Sequence, residues 1–399
     1  VNRISSIDVV RGLVMVIMAL DHVRDWTHAP SIAWGDPTDL ATTTPILFFT
    51  RWITHFCAPT FVFLAGTSIF LSMAKRGATP QSRRFLLTRG LWLVLLECTV
   101  LAFGWHFNIH FPFLGLQVIW AIGVSMIVMS VASAWSVKTN LIVGGAIVLL
   151  HNAFDWYQPT GNAPWDVAWH IMHIFTIYNM PNGMQLFFVY PVLPWIGVMM
   201  LGFAFGSLFV AKPGKELDVI QLRKTLIKLG LGVTALFVVL RTANIYGDLH
   251  TWTLQKDWMY NVLAFLNTTK YPPSLLYLCM TIGPAVTLIG LLTRNSTLPH
   301  GQMSAFAYLT VFGKVPMFYY LLHIYIGHFI GWAMCYVQGY PLSAFWDVRT
   351  FGGNPMGSGF DLWVSYLVWI VLVLLLYPLC KWYDNIKTAN PQKTLFRYL

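Results

Sequence analysis

Leu362–Lys381 reads LWVSYLVWIVLVLLLYPLCK, an uncharged run closed by a lysine. A hydrocarbon core about 30 Å thick is crossed by about 20 apolar residues in an α-helix, so this stretch reads as a membrane span. The same length rule picks out Val9–Trp26, Ile53–Met73, Leu91–Phe107, Phe113–Ala134, Leu141–Phe154, Leu186–Val210, Leu226–Arg241, Ser274–Leu292 and Val315–Val337. Composition agrees: 57% of the 399 residues are hydrophobic, 16% aromatic and 10% charged, against about 25% charged in a soluble domain. A mean hydropathy of +0.61 excludes a soluble enzyme. Disorder is excluded too, because disordered chains are poor in aromatics and rich in charge. The expected fold is all-α: a polytopic integral membrane bundle of about ten transmembrane helices, forming one domain over residues 1–399.

The net charge is +10, from 25 Lys and Arg against 15 Asp and Glu. Threading the spans alternately sorts 19 of the 25 cations to one face and only Arg24, Arg51, Arg241, Lys256, Lys270 and Arg349 to the other. Cytoplasmic loops carry the Lys/Arg excess, so both termini are expected in the cytosol. The basic balance is then explained by the lipid bilayer, and no nucleic-acid partner is needed. The long connections Thr27–Trp52, His151–Gln185, Thr242–Pro273 and Gln338–Asp361 all fall on the outer face. They are rich in Trp, Pro, Asn and Gly and are expected to be ordered and functional. Asp21-His22-Val23-Arg24 stands where a cleavage site would follow Leu20, so the first span is expected to be retained. Cys57, Cys98, Cys279, Cys335 and Cys380 lie in or at the ends of spans without a CxxC, which indicates neither a disulfide framework nor a thiolate metal site.

Ten of the twelve histidines fall at outer span ends or in outer loops; His300 is on the inner side and His323 lies within the ninth span. Imidazole titrates near neutral pH without help, and ionisable groups at membrane depth are costly enough to be functional suspects. Most interfacial histidines nevertheless only hydrogen-bond their surroundings. In the first span, Asp8 is placed as an N-terminal cap and Arg11 one turn on, where the two can pair. His22 follows Asp8 by about 21 Å of helix rise. One helix thus carries a charged pair at its inner end and a base at its outer end. Glu97 is the one acid well inside a span, and a structural pair with a residue such as Lys314 is favoured for it over a place lining a substrate tunnel. The spacings His106-x3-His110 and His170-x2-His173 lack a carboxylate companion, so no metal site is assigned.

Three stretches carry a resemblance: Arg3-x4-Asp8-x2-Arg11-Gly12, the run Pro59–Met73 (PTFVFLAGTSIFLSM), and Phe312–His323 (FGKVPMFYYLLH). With Tyr190–Trp195 and Lys270–Ser274, they resemble the heparan-alpha-glucosaminide N-acetyltransferase family in its bacterial branch. The resemblance implies a multi-helix membrane enzyme that moves acetyl from cytosolic acetyl-CoA to an amino sugar or glycan on the far side, here across a bacterial cytoplasmic (inner) membrane. Asp8, Arg11, Gly12 and His22 are also similar in spacing to membrane acyltransferases that O-acetylate cell-surface glycans, where the histidine at the His22 position is regarded as catalytic. In the lysosomal enzyme that position resembles Asn and the catalytic histidine lies further on; His28 is its nearest counterpart, and His55 stands where that enzyme resembles an Asp. The three histidines remain alternatives at this point.

Acyl transfer from a thioester needs a base for the acceptor proton and donors for the developing oxyanion. The expected catalytic set is His22 as preferred base, with His28 and His55 as alternatives, Asp21 and Asp25 to orient it, and Arg51 to stabilise charge. Arg24 and Arg51 are equally suited to pairing with nearby Asp. The CoA phosphates call for cations, and guanidinium gives bidentate phosphate geometry. The expected donor-binding set is Arg11, Asp8, Arg83, Arg84, Lys314 and His323, with Arg89 beside them. Whether histidine acts as general base or transient acyl carrier, whether nitrogen or oxygen is acetylated, and whether the chain forms a homodimer are all left open by the sequence. The rival reading is a secondary transporter of a small polar or sugar-like solute, suggested by Gly/Pro-interrupted spans such as Tyr190–Gly206, although no internal repeat is found.

Overall fold

A computed structural model of the protein describes residues 5–161, 163–211, 214–293, 304–390, 392–393 and 395–398. Arg3 and His300 lie outside the described residues. The chain opens with α1 (Ser5–Thr27) and the single turn α2 (Ala29–Ile32). α3 (Pro45–Thr54) and α4 (Cys57–Arg76) follow, separated only by His55 and Phe56. α5 (Pro80–Leu96) runs through a π-helical turn, Glu97–Leu101, into α6 (Ala102–His106). Next come α7 (Val118–Ala132), α8 (Val137–Leu150), α9 (Pro164–Met172) and α10 (Val192–Gly206). The remainder holds α11 (Val219–Ala243), α12 (Trp258–Leu266), α13 (Leu275–Leu292), α14 (Ser304–Lys314), α15 (Pro316–Val337), α16 (Leu362–Ala389) and the terminal turn α17 (Leu395–Tyr398).

Among the described residues, 8 helical stretches are long and apolar enough to cross a membrane. α1 is long enough at 23 residues but carries Asp8, Arg11, Asp21, Arg24 and Asp25. α7, at 15 residues, rises about 22 Å and falls short of the hydrocarbon thickness. Each expected span contains helix over most of its length, and the fold is an all-α polytopic membrane bundle.

The helix starts are written locally. Thr44, Thr79, Ser136, Asp218, Asp257 and Ser274 each accept a backbone N–H three residues on, the role for which short polar side chains are preferred at the N-cap. Two expected spans begin too early. Phe113–Gly115 is β1, Thr176–Asn179 is β2 and Gln185–Phe188 is β3, and they form one small sheet in the order β1-β3-β2. β1 pairs parallel with β3 through Phe113↔Gln185, and β2 pairs antiparallel with it through Thr176↔Phe188. Phe113–Leu116 and Leu186–Val189 are apolar runs continuous with the helices that follow, and a short apolar run does not by itself distinguish strand from helix. Tyr190-Pro191 divides β3 from α10, with Pro191 as N-cap.

α1 is the hub, packing against α14, α15, α16, α4 and α3. Its closest crossing is with α14: a Cβ on Gly12 would meet the Leu309 carbonyl, and one on Gly313 the Asp8 carbonyl. Small residues let two backbones approach in this way. The long connections gather at one end of the bundle. At the other end Arg11 reaches the Gly313 carbonyl, and Lys314 lies beside Asp384 and Lys387 of α16. Both described ends of the chain therefore sit at this second, basic end.

Candidate functional site

α1 delivers Asp21, His22, Arg24 and Asp25 to the wall of a cavity of about 710 Å³ at the loop-bearing end. Arg51 and His55 join from the α3–α4 corner, Trp105 and His106 from α6, Phe113 and Phe187 from the sheet, and Lys270 and Tyr271 from the connection before α13. Asp21 is buried between two guanidiniums: it is ion-paired with Arg51, and with Arg24 at 3.0 Å. Arg24 also holds Asp25 at 2.6 Å, and Arg51 lies 3.5 Å from the Tyr271 hydroxyl. Buried charges are tolerated when paired in this manner. Burial pushes the Tyr271 phenol up, but Lys270 and Arg51 outweigh it and hold the phenol below its ordinary range.

The three candidate histidines separate. His22 lines the cavity, and its Nδ1 lies 2.7 Å from Nε2 of His323. Asp21 and Asp25, expected to orient that ring, turn their carboxylates to Arg24 and Arg51 instead. His55 lines the same cavity, packed edge-on against Tyr277, whose hydroxyl donates to the His55 carbonyl at 2.8 Å. His28 is not on that wall. It lies beyond the end of α1, buried, with Nδ1 3.1 Å from the Ser31 hydroxyl.

A second cavity, about 310 Å³, lies at the basic end. Arg11, Arg76, Arg89, Lys314 and Lys387 line it together with Ser68, Ser72 and Ser82. Arg11 is fixed by Asp8 at 3.3 Å, Ser68 at 2.8 Å and the Gly313 carbonyl at 3.2 Å. Three residues, Phe61, Val118 and Tyr320, line both cavities. The two spaces thus adjoin at these three side chains, with His22 against the Tyr320 ring, centroids 6.3 Å apart.

Residues 3–239 match the family model for the catalytic region of heparan-alpha-glucosaminide N-acetyltransferase. The chain belongs to this family. It is accordingly a transmembrane acetyltransferase. No curated protein sequence matches it. The match covers α1 to most of α11, so Lys314, Tyr320 and His323 of this acetyltransferase lie beyond it.

Several expectations are corrected in this acetyltransferase. Of the residues expected to bind the donor, Arg11, Arg89 and Lys314 line the basic cavity. Arg83 and Arg84 stand off it, Asp8 acts on it through Arg11, and His323 is fully buried on the wall of neither cavity. Asp8 lies in the first turn of α1, not at its cap. Glu97 does not pair with Lys314, which lies 3.4 Å from Asp384. Instead the π-helical turn aims Glu97 at the start of α7, where it accepts the Trp120 N–H at 3.0 Å; acids are favoured at helix N-termini. In the His170-x2-His173 spacing, His173 does have a carboxylate companion, Asp155 at 2.9 Å, while His170 bonds the Pro159 carbonyl at 3.3 Å.

Sequence reasoning missed Arg76, Lys387, Tyr271 and Tyr320 as wall residues. Tyr271 and Tyr320 stood inside the stretches that carried the resemblance, which is the signal that could have found them. The Tyr320 hydroxyl is buried without a partner among the described residues.

Proposed function

We propose that the protein transfers acetyl from cytosolic acetyl-CoA, held in the basic cavity, to an amino sugar or glycan held in the loop-side cavity. The observation that carries this reading is the pair of cavities sharing the wall of Phe61, Val118 and Tyr320, one ringed by cations and the other holding His22. Arg11 and His22 stand on one helix about 16 Å apart by helix rise, the distance a pantetheine arm has to cover. Arg76, Arg89 and Lys387 supply cations for the CoA phosphates, with Arg suited to bidentate contacts. The 19-to-6 division of Lys and Arg supports a cytosolic donor side. Aromatic walls such as Trp34, Trp105 and Phe187 suit sugar faces on the other side.

His22 is the base. The acceptor N–H or O–H gives its proton to His22 as its nitrogen or oxygen bonds the acetyl carbon. The C–S bond breaks, and the proton passes from His22 to the CoA thiolate, leaving acetylated acceptor and CoA-SH. Arg51, close to this ring and already charged, stabilises the developing negative charge, as fixed donors do in acyl transfer.

The test is turnover of radiolabelled acetyl-CoA by the purified protein, with glucosamine and short glycans as acceptors. Transfer is expected, and His22→Ala is expected to lower kcat by about 10²- to 10⁴-fold, the usual worth of a positioned base, while leaving CoA binding by calorimetry intact. Full turnover in that variant rejects His22 as base. Labelled acetyl retained on denatured protein rejects direct transfer in favour of an acetyl-histidine. Absence of CoA binding rejects the acetyl-CoA reading altogether and favours a transporter.

A further inference from the structure

We infer that His323 is a positioning residue that locks His22 in one tautomer, so that Nε2 of His22 is the nitrogen that receives the acceptor proton. The inference rests on reading His22 as the base. It is forced stepwise by hydrogen-bond chemistry. Nδ1 of His323 lies 3.1 Å from the carbonyl oxygen of Tyr319, four residues back along α15. A carbonyl only accepts, so Nδ1 of His323 carries hydrogen. A neutral imidazole has one N–H and one lone pair, which leaves the lone pair of His323 on Nε2.

That lone pair is 2.7 Å from Nδ1 of His22. Two lone pairs do not approach so closely, so Nδ1 of His22 carries hydrogen and donates to His323. The lone pair of His22 is then on Nε2. Among the described residues nothing bonds that nitrogen, and His22 lines the loop-side cavity. The two rings are inclined by only 20° with centroids 4.9 Å apart. Their nitrogens are closer than two stacked ring faces can come, so the contact is edge to edge, as an N–H···N bond requires.

The alternative, a charged His323 donating to His22, lacks a counter-ion. His323 is fully buried, and its neighbours are the Tyr319 carbonyl and the rings of Tyr319, Tyr320 and His22. An unpaired charge there is disfavoured by desolvation. The charged groups facing His22 are Asp21 of its own helix, Arg51 of α3 and Lys270 of the connection before α13; Trp105 of α6 adds a neutral edge at 4.9 Å. When Nε2 takes the proton, the Nδ1–H bond to His323 becomes charge-assisted and stronger. The ring is held in place until the proton leaves for sulfur, and His323 keeps its own proton throughout. This role replaces the donor-binding one expected from the sequence.

The experiment uses full-length protein in nanodiscs with ¹⁵N-labelled histidine. Long-range ¹⁵N–¹H spectra at pH 7.5, with the His22 signals identified by their loss in His22→Gln, are expected to show His22 protonated at Nδ1 and bare at Nε2. The opposite tautomer overturns the inference. In kinetics, His323→Ala is expected to lower kcat at least 30-fold with KM for acetyl-CoA within twofold, and His323→Gln, whose side-chain carbonyl can accept from His22, to recover at least tenfold of that loss. In the pH–rate profile, His323→Ala is expected to move the acidic limb, which a merely structural role would leave in place. An unchanged kcat in His323→Ala, or a loss confined to KM for acetyl-CoA, overturns the inference while leaving His22 as the base. A fully active His22→Ala rejects the base instead, and the spectra of the wild-type protein still decide the tautomer even if His323→Ala fails to fold.

Discussion

His28 illustrates how little a residue's type says without its place. It stood beside His22 as a candidate base, yet it lies off the cavity with its ring on Ser31. Burial, with Arg24 adding to it and Asp361 opposing, lowers its imidazole from 6.5 to about 4. The folded state therefore holds His28 neutral, whereas the unfolded chain protonates it below its ordinary value. This contribution to stability is fully present above pH 6.5 and is lost as pH falls from 6.5 toward 4. Thermal unfolding in detergent is expected to show a smaller loss over that window in His28→Gln than in the parent; parallel slopes would contradict this. His22, near the end of α1, owes its distinction to a partner 301 positions away in the chain. Single-sequence reading had no route to that pair, because nothing local to either histidine encodes the other.

At the scale of elements, the spans were legible because length and hydropathy are properties of a single segment. Leu362–Lys381 needs no partner to be recognised, and it lies within α16. The strands were not legible: Phe113–Gly115 becomes β1 only because Gln185–Phe187 lies alongside it. Glu97 shows the same limit, since its acceptor role depends on where α7 begins. The seam between α1 and α14 gives a direct test of packing at this scale. Gly12→Ala puts a methyl into the Leu309 carbonyl, and overpacking typically costs about 1–3 kcal/mol. Backbone cannot rotate aside as a side chain can, so a loss at or above the top of that range is expected in thermal unfolding. Gly145→Ala in α8, where an added Cβ meets nothing within 4 Å, is expected to be neutral or to gain about 0.5–1 kcal/mol from helix propensity. Equal effects from the two substitutions would refute the tight seam.

For the whole molecule, the uneven division of charge becomes a division of labour. The sequence located the basic end from its loops, but the cations that line the cavity, Arg76 and Lys387 among them, come from helix ends remote in the chain. If that cavity holds CoA, affinity measured by calorimetry should fall as salt rises from 50 to 500 mM, because the Debye length shrinks from about 10 Å at 0.1 M to about 3 Å at 1 M. Arg76→Gln with Arg89→Gln is expected to weaken CoA binding at least tenfold and to flatten that salt dependence, and an unaltered affinity would place the phosphates elsewhere. The meeting of the two cavities at Phe61, Val118 and Tyr320 has a consequence of a different kind. A continuous watery passage between the two cavities would be a leak, letting ions run down the membrane voltage, which is worth about 2.3 kcal/mol per charge per 100 mV. Where the two cavities adjoin, two aromatic rings and a valine therefore have to serve as the electrical insulation of the membrane, and a substrate arm that threads between them has to fill the gap it opens.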